Sequence, residues 1–131
     1  MKQDSIRFAG LTAVVITLAV ALSSAALAET QDEIRGKYYM AMMCGTYMSA
    51  FAVHAQLAKE KELEAAFEAA TERTMRETVS LGAKLGISQD KAIEEFKHNA
   101  FFYARAQPSY SAREVEQQTK FCAPEILPLL K

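Results

Sequence analysis

The sequence predicts an all-α protein, a small four-helix bundle or orthogonal helical array closed by one disulfide. Three observations carry this. No stretch sustains the alternation of apolar and polar residues that marks a strand. Alanine, leucine, glutamate, lysine, arginine, methionine and glutamine, all strong helix formers, dominate from residue 29 onward. Helix starts and stops punctuate that stretch, and it holds both cysteines of the chain, Cys44 and Cys122.

The segment before it, Met1 to Ala28, reads as a cleavable signal peptide. Lys2 and Arg7 give a positive start, and Phe8 to Leu22 is an apolar run broken by Gly10, Thr12 and Thr17. Ala26-Leu27-Ala28 is an A-x-A pattern, placing cleavage between Ala28 and Glu29. At about fifteen residues the run is short of the ~20 a spanning helix needs. Residues 29–131 then form a single helical domain in the periplasm or outside the cell, free of the membrane after cleavage. If the segment is retained instead, the chain is a membrane-anchored accessory subunit.

The first helix is expected from a capping box, Thr30-Gln31-Asp32-Glu33, to about Leu57. From Tyr38 to Ala55 it carries no formal charge apart from protonation of His54, so it reads as apolar all round and central to the packing. Ala41, Gly45 and Ser49 form a small stripe that admits another backbone. Met40, Cys44, Tyr47 and Phe51 form a bulkier one beside it. No glycine or proline marks the end of this helix. A single helix from Thr30 to Lys84 would be roughly 80 Å long, too long for a compact domain, so a tight turn is expected near Ala58 to Lys61.

The second helix covers about Glu60 to Lys84, with Leu63, Phe67, Ala70, Thr74, Thr78, Leu81 and Leu85 on one face. Gly86 ends it, and Ser88 caps a third helix, with Ile87 positioned as a staple against Ala92. That helix runs to about Ala106, turning Ile93, Phe96, Ala100 and Tyr103 or Ala104 inward before Pro108 stops it. A second capping box, Ser111-Ala112-Arg113-Glu114, opens a fourth helix to about Phe121, with Val115, Thr119 and Cys122 on one side. Pro124 and Pro128 break the C-terminal stretch, leaving Ile126, Leu127, Leu129 and Leu130 as an apolar tail to dock on the bundle.

After cleavage the domain holds 13 basic and 15 acidic residues, a net charge of −2. That balance offers no footprint for nucleic acid and no polybasic patch for anionic lipid. In an oxidising compartment Cys44 and Cys122 have one intramolecular pairing, which closes a loop of nearly eighty residues. Such a loop is worth about 4 to 5 kcal/mol in the chain-entropy picture.

Several chemistries can be weighed by residue type and spacing. Met40, Cys44 and Met48 succeed one another at four-residue steps with His54 beyond, a soft-ligand row of the kind that holds Cu(I). Met40, Met48 and His54 are thus the metal candidates, but a disulfide removes the Cys44 thiolate and methionine is also a core filler. Glu95 and His98 make half of a di-iron motif, without the second half. No serine elbow or glycine-rich phosphate loop occurs, and no catalytic residue is assigned. Phe101, Phe102 and Tyr103 point in three directions about 100° apart, so at least one is free to point away from the main core unless the fourth helix and the tail cover all three, and they are the candidate interaction surface.

The expected function is therefore that of a non-enzymatic exported binding protein without a cofactor. It acts on another protein through an apolar helix surface, with a homodimer as one form. The alternative is a small-molecule or copper carrier that uses the first and third helices.

Overall fold

The computed structural model describes residues 28–106 and 109–130, and the side chains of 103–106 are not among the described ones. Residues 31–130 form an all-α array: α1 (Gln31–Leu57), α2 (Lys61–Lys84), α3 (Gln89–Ala106), α4 (Ala112–Cys122) and a final 3-10 helix (Pro124–Leu129). Ala28, Glu29 and Thr30 precede α1 and are exposed, and the rest of the expected signal segment lies outside the described residues.

The α1–α2 turn is where the length argument put it, and its geometry explains why no glycine announces it. The Glu60 amide donates to the Ala55 carbonyl at 2.9 Å and the Lys59 amide to Gln56 at 3.0 Å. This is a Schellman closure with Lys59 in the left-handed position, at φ 61°. α2 ends by the same closure in its usual form: Gly86 sits at φ 77° and the Ile87 amide donates to the Gly82 carbonyl at 2.8 Å. Ser88 Oγ then accepts from the Lys91 amide at 3.3 Å and starts α3, and Ser111 Oγ accepts from Glu114 at 3.1 Å and starts α4.

α1 and α2 form an antiparallel hairpin, with Tyr38 beside Gly82, Gly45 beside Thr74, and the Phe51 and Phe67 rings 5.5 Å apart. α3 runs parallel to α1, since Tyr38 meets Glu95 and Met42 meets Asn99 one turn further along both helices. Two apolar cores result. At one end Ile34, Tyr38, Ala41, Met42 and Leu81 pack with Ala92 and Phe96 of α3. At the other, Met48, Phe51, Ala55, Phe67 and Ala70 pack with Ala123 and Ile126, and with Val115 of α4 at the margin. The buried threonines of α2 remain compatible with this because their hydroxyls bond back into the helix. Thr78 donates to the Thr74 carbonyl at 2.8 Å, and Thr74 to Ala70 and Thr71 at 3.1 and 2.8 Å.

Four expectations need correction. The stripe of small residues admits a side chain, not a backbone: Gly45 takes the edge of the Phe96 ring, and a methyl added there would also meet Thr74 Oγ1 at 2.9 Å. On α3 the innermost residues are Ala92 and Phe96, while Ile93 is half-buried, because α3 leans toward α1 as well as α2. The C-terminal apolar residues dock as expected, with Ile126 buried and Leu129 and Leu130 packed against the same core, but Pro124 and Pro128 do not break this stretch. Pro124 opens the 3-10 helix, where its missing N–H costs nothing, and Pro128 lies inside it. Finally, α1 is central but not wholly covered. Tyr39, Met40, Met43 and Val53 are all at least 40% exposed, because α2, α3 and α4 between them reach only part of its circumference.

Gly45 and Gly36 separate packing from helix propensity. Phe96 is 3% exposed and has nowhere to move, so Gly45→Ala is expected to destabilise by ~1–3 kcal/mol in denaturant unfolding. Gly36 lies on the same helix with open space around it, and Gly36→Ala should stabilise by ~0.5–1 kcal/mol. A neutral Gly45→Ala would show that the ring does not occupy that notch.

Candidate functional site

Cys44 and Cys122 form a disulfide with 5.3 Å between their Cα atoms, across 78 residues. Cys44 is buried near the middle of α1 and Cys122 closes α4, so the bond ties the C-terminal segment to the most enclosed helix. Arg73 adds a polar clasp at the same end. Its guanidinium pairs with the Glu125 carboxylate and donates to the Cys122 carbonyl at 3.4 Å. Burial alone would raise the Glu125 carboxyl, but its own backbone amide and Arg73 outweigh that and hold it below the usual carboxylate range.

The metal candidates do not converge. Met40 is 46% exposed, Met48 is fully buried, and Cys44 is spent in the disulfide. His54 stands almost four turns beyond Met40, about 21 Å along the axis, edge-to-face with the Tyr110 ring at 5.4 Å. Among the described residues no three His, Cys, Asp or Glu side chains group as a metal-binding set. Glu95 of the half motif accepts the Tyr38 hydroxyl at 2.7 Å, while His98 is exposed.

The aromatic candidates behave differently. Phe101 and Phe102 are 60% and 65% exposed, whereas the Tyr103 side chain lies outside the described residues. Phe102 falls one helical stripe on from Glu95 and Asn99, which places it on the side of α3 that meets α1. Beside that seam stand Tyr39 and Met43, the immediate neighbours of Tyr38 and Met42, while Met40 and Phe101 are exposed on the outer faces of α1 and α3. Large apolar side chains left exposed beside a helix–helix contact are often part of a working surface. Tyr39 and Met43 escape a sequence reading that treats α1 as buried all round. The available signal was a charge-free helix with too few partners to cover it.

A second feature lies at the turn end of the hairpin. There a groove of about 900 Å³ opens between the end of α1, the start of α2, α4 and the 3-10 helix. Phe51, Phe67, Leu63, Val115 and Leu129 line its apolar part, and His54, Glu60, Lys61, Glu62 and Glu116 its polar part. No local motif marks it, since it exists only where four segments meet.

This geometry sets two measurable outcomes. Cys44→Ser and Cys122→Ser remove the same link, so each should lower stability by ~4–5 kcal/mol at most, and by equal amounts. Widely different losses in paired denaturant titrations would contradict the bond. The second concerns the phenols. Burial first, then the Glu95 hydrogen bond and charge, pushes Tyr38 up to about 12. Burial, with Tyr47 and Glu114, does the same to Tyr110, up to about 12. The native state therefore keeps protons that the unfolded chain loses above pH ~10, so this stabilisation is full below pH ~10 and fades toward ~12. Unfolding across that window should show a fall that is smaller in a Tyr38→Phe, Tyr110→Phe double variant.

Comparison with protein-family models, with curated proteins and with solved structures finds no match for the chain.

Proposed function

We propose that this chain is an exported, non-enzymatic binding protein that engages another protein through the apolar surface along the α1–α3 seam. The observation that carries the reading is the exposure of Tyr39 and Met43 of α1 and Phe102 of α3 beside that seam, with Met40 and Phe101 exposed further round the same helices. A solvated helix of a small domain ordinarily turns charge outward, and these positions turn large apolar groups outward instead. Export rests on the charged start, apolar run and A-x-A site of residues 1–28, and a disulfide suits an oxidising compartment such as the periplasm or the extracellular space. The near-neutral charge balance supports a protein partner over nucleic acid or an anionic membrane. A homodimer is one form such binding takes.

A photo-crosslinking residue placed at position 39 or 102 in exporting cells should give discrete protein adducts, including a dimer if the partner is a second copy. The same residue at exposed Gln117 on α4 should give none. The mature chain should begin at Glu29 by mass spectrometry. Absence of adducts at both 39 and 102 would overturn the surface, and an intact Met1 start would overturn export by cleavage.

A further inference from the structure

We propose that the groove at the turn end of the α1–α2 hairpin binds a single-chain amphiphile with a cationic head group. This site is distinct from the α1–α3 surface and stands independently of it. At about 900 Å³ the groove falls within the size range of small-ligand sites, ~300–1,000 Å³.

Its apolar surface comes from Leu63, Val115, Leu127 and Leu129, which are half-buried along its walls, over Phe51 and Phe67, which are 2% and 1% exposed and already sealed in the core beneath. An apolar cleft of this kind gives water few hydrogen-bonding partners, so an alkyl chain laid in it removes apolar surface from water on both sides of the contact. The charged lining residues, Glu60, Lys61, Glu62 and Glu116, are all exposed and therefore stand at the mouth, with half-buried His54 beside them. Three carboxylates against one ammonium make that mouth net negative. It attracts a cationic head and repels an anionic one. The walls supplied by α4 and the 3-10 helix are held to α1 by the Cys44–Cys122 bond, which keeps the cleft at a set width without a ligand.

The full oxidised chain contains no tryptophan, so Ala112→Trp, at an exposed wall position, supplies a fluorescence reporter. Dodecyltrimethylammonium, dodecyl maltoside and dodecyl sulfate are titrated below their micellar concentrations, with calorimetry on the unsubstituted protein in parallel. The cationic amphiphile should bind saturably at one per chain, shift the reporter emission to the blue, and bind about tenfold tighter than dodecyl sulfate. In a Glu62→Gln, Glu116→Gln variant that ratio should fall toward one while the maltoside affinity stays constant. The proposal is overturned by an absence of saturable binding in both measurements, by equal or tighter binding of dodecyl sulfate to the unsubstituted protein, or by a ratio unmoved in the double variant.

Discussion

Between Tyr38 and Ala55 the chain presents eighteen consecutive positions with no acidic, lysine or arginine side chain. A helix built from them has no face that water solvates well, so each remaining element is placed by the need to cover it. α2 folds back along it, α3 lies beside its first half, and α4 with the 3-10 helix closes on its second half. The two separate cores are the two ends of this one coverage problem. Gly45 and Cys44 sit where the two ends meet: the glycine lets the Phe96 ring reach the helix, and the cysteine anchors the C-terminal segment.

Coverage is incomplete in two ways, and each leaves a feature that can engage another molecule. Along α3 the contact made by Tyr38, Met42, Glu95 and Asn99 is narrow, so the next residues outward on both helices, Tyr39, Met43 and Phe102, stay exposed. At the hairpin turn, α4 and the 3-10 helix pack over Phe51 and Phe67 without filling the space beside Leu63. On the proposed reading, the exposed residues beside the α3 contact meet a macromolecular partner. The groove is concave and apolar at depth, which suits a chain-like ligand.

Much of the fold was legible because its boundaries are chemical. Thr30, Gly86, Ser88 and Ser111 mark helix ends through local residue type, and all four fall at the observed boundaries. The disulfide was legible by count. The α1–α2 turn was placed by length alone, because Lys59 occupies the left-handed position that glycine usually signals, at a cost of about 1 kcal/mol. The angular spread of Phe101, Phe102 and Tyr103 marked this stretch as one where an aromatic can point outward, but not that Phe101 and Phe102 both do so. What Gly45 admits, which sector of α1 is bare, and the groove itself were not legible, since periodicity identifies an apolar face but not the partner that meets it.

The disulfide joins the middle of α1 to the last residue of α4 across 78 residues, while α1 and α2 are joined by a three-residue turn. Closing the α1–α2 hairpin joins near neighbours in sequence, where loop closure is least demanding, whereas bringing Cys122 to Cys44 closes a far longer loop. With two cysteines in the whole chain, oxidation has a single intramolecular product and no mispaired isomer to resolve.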